Sequence, residues 1–437
     1  MGVGRGRAND TMTTEVSEAS AKASAAREAS RALARVSTDA KNEALLAIAK
    51  GLLEHESYIL TANREDIEAG RAAGLSNAVI DRLFLSHERL EGIANDVRQT
   101  ALLPDPVGEM IEMRTLPNGL RVGRRRVPLG VIAVIYESRP NVTVDIAALC
   151  LKSGNACILR GGKEAIHSNT ALASIIREAI GSAGIPQNAV QLIENTDRAL
   201  LAELLRMRDA IDLIVPRGGE ELIRYVAENA TMPVLTGGIG VCHTYVDRAA
   251  DLEKAVRIVH NAKTRKYTVC NALDTVLVHE DAAEAFLQDI GRKWAEEGVE
   301  MRCDDEAYRL LNAAEISELK LEHASPDDFG HEFLALTAAV KVVGSLDDAL
   351  DHIRRHGTGH SDAIVTEDYS AAMRFVDEVD TAVAYVNAST QFTDGAQFGL
   401  GAEIIDSTQK TIARGPVGLR EITTYKWIAF GDGQTRP

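Results

Sequence analysis

Residues Val127–Asn169 read VPLGVIAVIYESRPNVTVDIAALCLKSGNACILRGGKEAIHSN, and the succession of patterns inside them decides the fold. Val131-Ile132-Ala133-Val134-Ile135 is an unbroken apolar run of strand length, the mark of a strand covered on both faces. Val144 to Leu151 carries apolar residues at helical spacing and stops at Ser153-Gly154. Ala156-Cys157-Ile158-Leu159 is a second apolar strand, and Asn169 to Ile180 reads as the next helix, closed by Gly181. Val190-Gln191-Leu192-Ile193 and Leu213-Ile214-Val215 continue the alternation downstream. This repetition predicts an α/β fold with a parallel, doubly wound sheet whose ligands sit at the carboxyl ends of its strands.

Upstream, Glu15 to Val107 reads as helical, rich in Ala, Glu and Leu. Ser37-Thr38-Asp39 offers an N-cap before Leu45, Leu46, Ile48, Ala49, Leu52 and Leu53. Pro117-Asn118-Gly119 lies between two alternating runs within Met110 to Val127, which predicts a hairpin. Its second run carries Arg121, Arg124, Arg125 and Arg126, read as a strand face in preference to a nucleic-acid patch. A second α/β segment begins near Gly238. Its strands are expected around Thr244–Val246, Asp274–His279, Val340–Val343, Asp362–Val365 and Ala382–Val386, with helices at Asp251–Ala262 and from Ala282. Residues 299–330 read as irregular and charged. The tail Ile422–Phe430 is β-rich and needs a partner strand, either the hairpin or another subunit.

The chain has 437 residues, with 48 Lys+Arg against 64 Asp+Glu and a net charge of −16. Such an acidic protein repels phosphate backbones, which argues against nucleic-acid binding. No apolar run reaches the ~18 residues of a membrane span, and no secretory signal is apparent. The five cysteines include no C-x-x-C pair and no zinc spacing, so neither a disulfide scaffold nor a structural metal is expected. A soluble, reduced, cytoplasmic protein is the expectation.

Two loops follow strands where a nucleotide should bind: Arg160-Gly161-Gly162-Lys163 and Pro216-Arg217-Gly218-Gly219. Glycines allow close backbone approach and the basic residues suit phosphate. No strict G-x-G-x-x-G accompanies them, so ordinary turns remain an alternative. Among the cysteines, Cys150 and Cys157 lie in apolar elements and read as inert, and Cys303 sits among carboxylates. Cys270 follows Lys263, Arg265 and Lys266, and cations lower a thiol pKa, so it leads as candidate nucleophile; Cys242, beside His243, stays open as second. His356-Gly357-Thr358-Gly359-His360 reads as a structural loop in preference to a metal site, and Asn387-Ala388-Ser389-Thr390 as a turn that could line a pocket.

Four blocks carry a resemblance: Val127–Asn169; Val343–Ile364 (VGSLDDALDHIRRHGTGHSDAI); Val386–Gly401 (VNASTQFTDGAQFGLG); and Ala413–Trp427 (ARGPVGLREITTYKW). The chain resembles the γ-glutamyl phosphate reductase family within the aldehyde dehydrogenase superfamily, from about Glu15 to Phe430. The resemblance implies an aldehyde-dehydrogenase-like fold. Residues 14–107 and 127–238, with 389–418 returning, would form an NADP-binding domain. Residues 239–388 would form the catalytic domain, residues 108–126 and 419–437 an oligomerisation flap, and residues 1–13 a flexible leader. It further implies NADPH-dependent reduction of γ-glutamyl phosphate to glutamate-5-semialdehyde, a step of proline biosynthesis, with no metal.

By the same resemblance Cys270 is the nucleophile and Asn141 the oxyanion donor. Arg160 and Lys163 would meet the adenosine ribose, Pro216, Arg217, Gly218 and Gly219 the pyrophosphate, Gly237 and Gly238 the cofactor turn, and Glu332 the nicotinamide ribose. Arg139, Lys266, Asn387 and Ser389 are substrate-binding candidates by loop position. Hydrolytic members of the superfamily place Glu before a Leu-Gly-Gly turn, whereas this chain reads Val234-Leu235-Thr236-Gly237-Gly238. A homo-oligomer of at least two subunits and transient association with glutamate 5-kinase are also implied. The alternatives are a phosphorylating or CoA-acylating relative with another acyl substrate, and an inactive scaffold.

Overall fold

Five helices open the described residues, which in this computed structural model are 16–436; the leader assigned to residues 1–13 lies outside them. The helices are Glu18–Leu33, Thr38–Glu54, Glu56–Ala72, Asn77–Leu83 and His87–Leu102. Four start at a serine whose hydroxyl accepts a backbone N–H: Ser17, Ser37, Ser76 and Ser86. Their inward residues, Leu33, Leu45, Ile48, Leu52, Leu90 and Val97 among them, are buried in one core with the first sheet.

Strands β1 (Met110–Thr115) and β2 (Arg121–Pro128) form the antiparallel hairpin. Gly119 turns it at φ +86°, a conformation that side chains with a Cβ resist. The doubly wound sheet follows with β3 (Val131–Tyr136), β4 (Ala156–Arg160), β5 (Val190–Leu192) and β6 (Leu213–Arg217). All pairings are parallel, in the order β5-β4-β3-β6. Every residue of β3 is buried, as its unbroken apolar run requires. The chain winds outward from β3 to β5 and returns to the far side of β3, so the carboxyl ends of β3, β4 and β6 frame the switch point.

The second sheet contains β7 (Cys242–Val246), β8 (Leu273–His279), β9 (Glu300–Cys303), β10 (Lys320–His323), β11 (Thr337–Val343), β12 (Ser361–Val365) and β13 (Val383–Val386). These seven strands are parallel, in the order β10-β9-β11-β8-β7-β12-β13, with an apolar core on each face. Residues 299–330 are therefore not irregular. They hold β9, the helix Asp305–Ala313 and β10. Each strand is only four residues long and β10 is largely exposed, so too few apolar side chains repeat to give a sequence signal.

The chain then returns to the first domain, where Ile404, Ile405 and Val417 join the first core and β14 (Asp406–Ser407) pairs with β15 (Gly415–Pro416). Finally β16 (Thr423–Phe430) lies antiparallel to β2 along its whole length. The tail strand thus finds its partner within its own chain. The basic face of β2 is used structurally: Arg124 pairs with Glu112 at 2.6 Å and stacks on Tyr425 and Trp427.

Candidate active site

Cys270 lies in the loop between the helix Leu252–Thr264 and β8. The loop is pressed against the turn before β7: a Cβ at Gly240 would stand 1.7 Å from the Cys270 carbonyl oxygen, so only glycine fits there. Cys242 Sγ donates to the same carbonyl at 3.2 Å. The segment after β13 closes over the loop. Thr390 Oγ1 donates to the Asn271 carbonyl at 2.7 Å, and Asn271 Nδ2 donates to the Thr393 carbonyl at 2.8 Å. Gln391 Nε2 donates to the Ala262 and Lys266 carbonyls.

The cations before Cys270 do not serve it. Lys263 is buried, donating to the Leu273 carbonyl at 2.8 Å beside Asp274. Arg265 reaches Gln391, and the Lys266 side chain is exposed. The thiol instead feels burial first, then the carboxylates Asp406, Glu332 and Glu403, and is pushed up to about 12. The expectation of a cation-activated thiolate is overturned, because helical and loop geometry send neighbouring residues in different directions.

A ring nitrogen of His360, Cys270 Sγ and a carboxylate oxygen of Asp406 lie within 4.8 Å of one another. His360, at the start of β12, is 2% exposed and burial draws it down to about 4, so it is neutral. Asp406 arrives from the return segment, which bridges to the turn through Gly237 and Ser407. Burial and the neighbouring Glu403 push its carboxyl up to about 8. Sequence reading missed His360 and Asp406. The Val343–Ile364 block contained His360, but only β12 pairing with β7 brings it to the thiol.

The other sheet contributes Arg139, whose charge senses that of Cys270, and Arg217, its neighbour. Burial and the like charges of Arg217 and Arg82 draw the Arg139 guanidinium down. Among the described residues neither Arg139 nor Arg217 has an ion pair. The loop after β3 is fastened on both sides. Glu164 Oε1 accepts from Ser138 N at 2.8 Å and from Ser138 Oγ at 2.7 Å, and Glu137 Oε2 accepts from Gly219 N at 3.1 Å. Ser138 takes φ +46°, a strained conformation that these bonds maintain. Asn141 begins the helix Asn141–Lys152, and its Nδ2 donates to Asp145 Oδ2 at 2.9 Å. Burial pushes Asp145 up to about 6.

Arg160 ends β4, with its Nε buried and unpaired, while Lys163 is exposed one turn on. Pro216 and Arg217 end β6, and Gly218 and Gly219 lie open beyond it. Gly238 packs on Thr408. Glu332 Oε1 accepts from Gly240 N at 3.1 Å, which sets it beside the thiol. Two substrate candidates have structural work. Asn387 exchanges hydrogen bonds of 2.9 Å with both backbone groups of Thr366, and Ser389 Oγ accepts from Gln391 N at 3.3 Å as a helix cap. The unpaired Arg160 Nε suits a nucleotide phosphate at the carboxyl end of β4, whereas beyond β6 the Gly219 N–H is held by the Glu137 carboxylate.

The aldehyde dehydrogenase family model matches residues 7–308. A γ-glutamyl phosphate reductase of Dehalococcoides mccartyi strain CBDB1 is 57% identical over 415 residues, covering 95% of this chain and 97% of its own. One from Moorella thermoacetica is 53% identical over 419 residues, covering 96% and 99%. The crystal structure of γ-glutamyl phosphate reductase from Thermotoga maritima superposes with a TM-score of 0.93 at 46% identity, covering 96% of this chain and 100% of that one. An acetylating aldehyde dehydrogenase from Geobacillus thermoglucosidasius shares the fold, with a TM-score of 0.70 at 20% identity over 96% and 98% of the two chains.

Proposed function

The chain belongs to the γ-glutamyl phosphate reductases of the aldehyde dehydrogenase family, an oxidoreductase by membership, and from that premise we propose NADPH-dependent reduction of L-γ-glutamyl 5-phosphate to L-glutamate 5-semialdehyde through a thioacyl intermediate on Cys270, the reaction that proline synthesis from glutamate requires. One observation carries the reading: the Cys270 thiol lies within electrostatic reach of Arg139 from the other sheet, a guanidinium in no ion pair with a second, Arg217, beside it. A guanidinium held without an ion pair beside a like charge, as Arg139 is, favours an anion, and the substrate offers a phosphate and a carboxylate; Arg217 already feels the carboxyls of Asp145, Glu403 and Asp406.

In this mechanism Cys270 Sγ attacks the acyl carbon and the C–O bond to phosphate breaks. Arg139 draws in the anionic substrate and holds the departing phosphate. Asn141 and the Cys270 backbone N–H stabilise the oxyanion; losing one such donor costs about 10²–10³-fold in kcat. Arg160 and Lys163 would meet the adenosine ribose and its 2′-phosphate, Arg217, Gly218 and Gly219 the pyrophosphate, and Glu332 the nicotinamide ribose. NADPH, when bound, supplies the hydride that takes the acyl group to the aldehyde level. Of the earlier substrate candidates, Arg139 has the strongest support; Lys266, Asn387 and Ser389 have the least.

The reading extends to a homo-oligomer built on the flap and to transient contact with glutamate 5-kinase, because acyl phosphates are labile. Five free cysteines fit a reducing cytoplasm. Among the described residues, no helix is long and apolar enough to cross a membrane. The test is the reverse reaction, followed at the NADPH absorbance band with glutamate-5-semialdehyde, NADP⁺ and phosphate. A phosphate-dependent signal that Cys270→Ala abolishes is expected. Full activity of that variant, or no requirement for phosphate, would overturn the proposal.

A further inference from the structure

The Cys270 thiol has a mechanistic problem. Burial and three carboxylates hold its proton, and no lysine or arginine of its own loop reaches it. The turn that in hydrolytic relatives carries a glutamate base holds Thr236, whose backbone N–H donates to Gln409 Oε1 at 3.2 Å. Of the groups within 4.8 Å of the sulfur, Asp406 is mostly protonated at neutral pH, which leaves the neutral His360 imidazole as the free proton acceptor.

We propose that the His360 imidazole takes the Cys270 proton, oriented for the task by a chain of hydroxyls. His360 Nδ1 lies 2.9 Å from Ser361 Oγ. Ser361 Oγ lies 2.6 Å from Thr393 Oγ1, which lies 2.8 Å from Tyr385 OH. With Nδ1 engaged, the nitrogen left for the thiol is Nε2, which is buried and has no partner. A buried nitrogen without a partner is costly unless it has a chemical use. Base and orienter together repeat the logic by which other buried nucleophiles are activated. This inference rests on the reading of Cys270 as nucleophile.

The titratable groups facing His360 are Cys270 and Cys242, Asp362 on its own strand, and Asp406 from the return segment. Alone, His360 stays neutral and Cys270 stays a thiol. Moving the proton from one to the other makes opposite charges within 4.8 Å, whose attraction offsets the desolvation of both. Asp362 further favours the imidazolium. In the acylation step the S–H bond breaks and its proton goes to Nε2. The sulfur electron pair forms the S–C bond, the C–O bond to phosphate breaks, and Nε2 returns the proton to the departing phosphate oxygen.

The test follows the rate at which iodoacetamide labels Cys270, read by peptide mass spectrometry from about pH 6 to 10, in the whole enzyme and in His360→Gln and Thr393→Val. The unsubstituted enzyme is expected to label measurably near neutral pH. His360→Gln should label at least about tenfold more slowly there and recover only at high pH, with kcat lowered by about 10²–10³-fold. Thr393→Val, which keeps the imidazole but cuts its support, should shift the profile in the same direction by less. A His360→Gln profile that superimposes on that of the unsubstituted enzyme overturns the inference. If His360→Gln does not fold, an unchanged Thr393→Val profile does so. Labelling of Cys270 that leaves the unsubstituted enzyme active would instead sink the nucleophile assignment itself, so the two failures are distinguishable.

Discussion

Asp406 illustrates how far tertiary surroundings move a single residue. Its carboxyl has an ordinary value of 3.8, and burial beside Glu403 pushes it up to about 8. The folded chain therefore binds this proton more tightly than the unfolded chain does. The associated stability is complete below about pH 4 and is lost as pH rises through 8. Melting temperatures of Asp406→Asn should accordingly gain on those of the unsubstituted enzyme between about pH 5 and 8, then hold a constant difference. A difference that is flat across that window would show that Asp406 is not so perturbed. At neutral pH the same shift keeps most of Asp406 protonated, so it is a poor base towards water despite lying within 4.8 Å of the thiol. Nothing in Ile404–Thr408 announced this, because the shift comes first from burial and then from the way the fold turns the Glu403 carboxyl towards it.

At the scale of elements, β16 is the informative case. Its pairing with β2 completes a three-stranded sheet in which β16 keeps one free edge. Tyr425, Trp427 and Phe430 on that strand are 46%, 62% and 54% exposed, a concentration of aromatic surface that an isolated chain would leave wet. An open edge with aromatic side chains is suited to another subunit. Trp427→Glu should therefore lower the mass measured by light scattering while leaving the far-UV circular dichroism unchanged. An unaltered oligomer would move the proposed subunit interface elsewhere. The loop at 389–393 makes a related point. The overlapping stretch Asn387-Ala388-Ser389-Thr390 reads in the sequence as a turn that could line a pocket, whereas in the fold Thr390, Gln391 and Thr393 clamp the Cys270 loop, a role visible only once β13 is seen to end beside it.

At the scale of the whole molecule, the proposed chemistry draws on residues of both sheets and on the lack of a carboxylate at one turn. Cys270 and His360 come from the second sheet, Arg139 and Arg217 from the first, and Asp406 from the segment that crosses back. The fate of a thioester in such a cleft depends on whether a base can activate water there. Thr236 stands on the turn that Gly237 bridges to Ser407, next to Asp406, and is the position chosen for an introduced glutamate. Thr236→Glu should raise the ratio of glutamate to semialdehyde formed from γ-glutamyl phosphate, measured as product partitioning. Unchanged partitioning would mean that the missing carboxylate does not protect the acyl-enzyme.

Local rules were enough for much of this protein. Apolar runs such as Val131–Ile135, serine caps such as Ser37, and the Pro117-Asn118-Gly119 turn specify their own elements, because each depends on residues close in the chain. Cys270 and the loops after β4 and β6 were singled out in the same way, from stretches of contiguous residues. The tertiary structure alone decided the ionisation of Cys270. The chain neighbours Lys263, Arg265 and Lys266 promised a lowered thiol, but the charges that reach it belong to Asp406, Glu332 and Glu403, and the candidate base is His360. Electrostatics depends on distance and burial in space, and the return of the chain to the first sheet brings Asp406 to Cys270, 136 residues earlier.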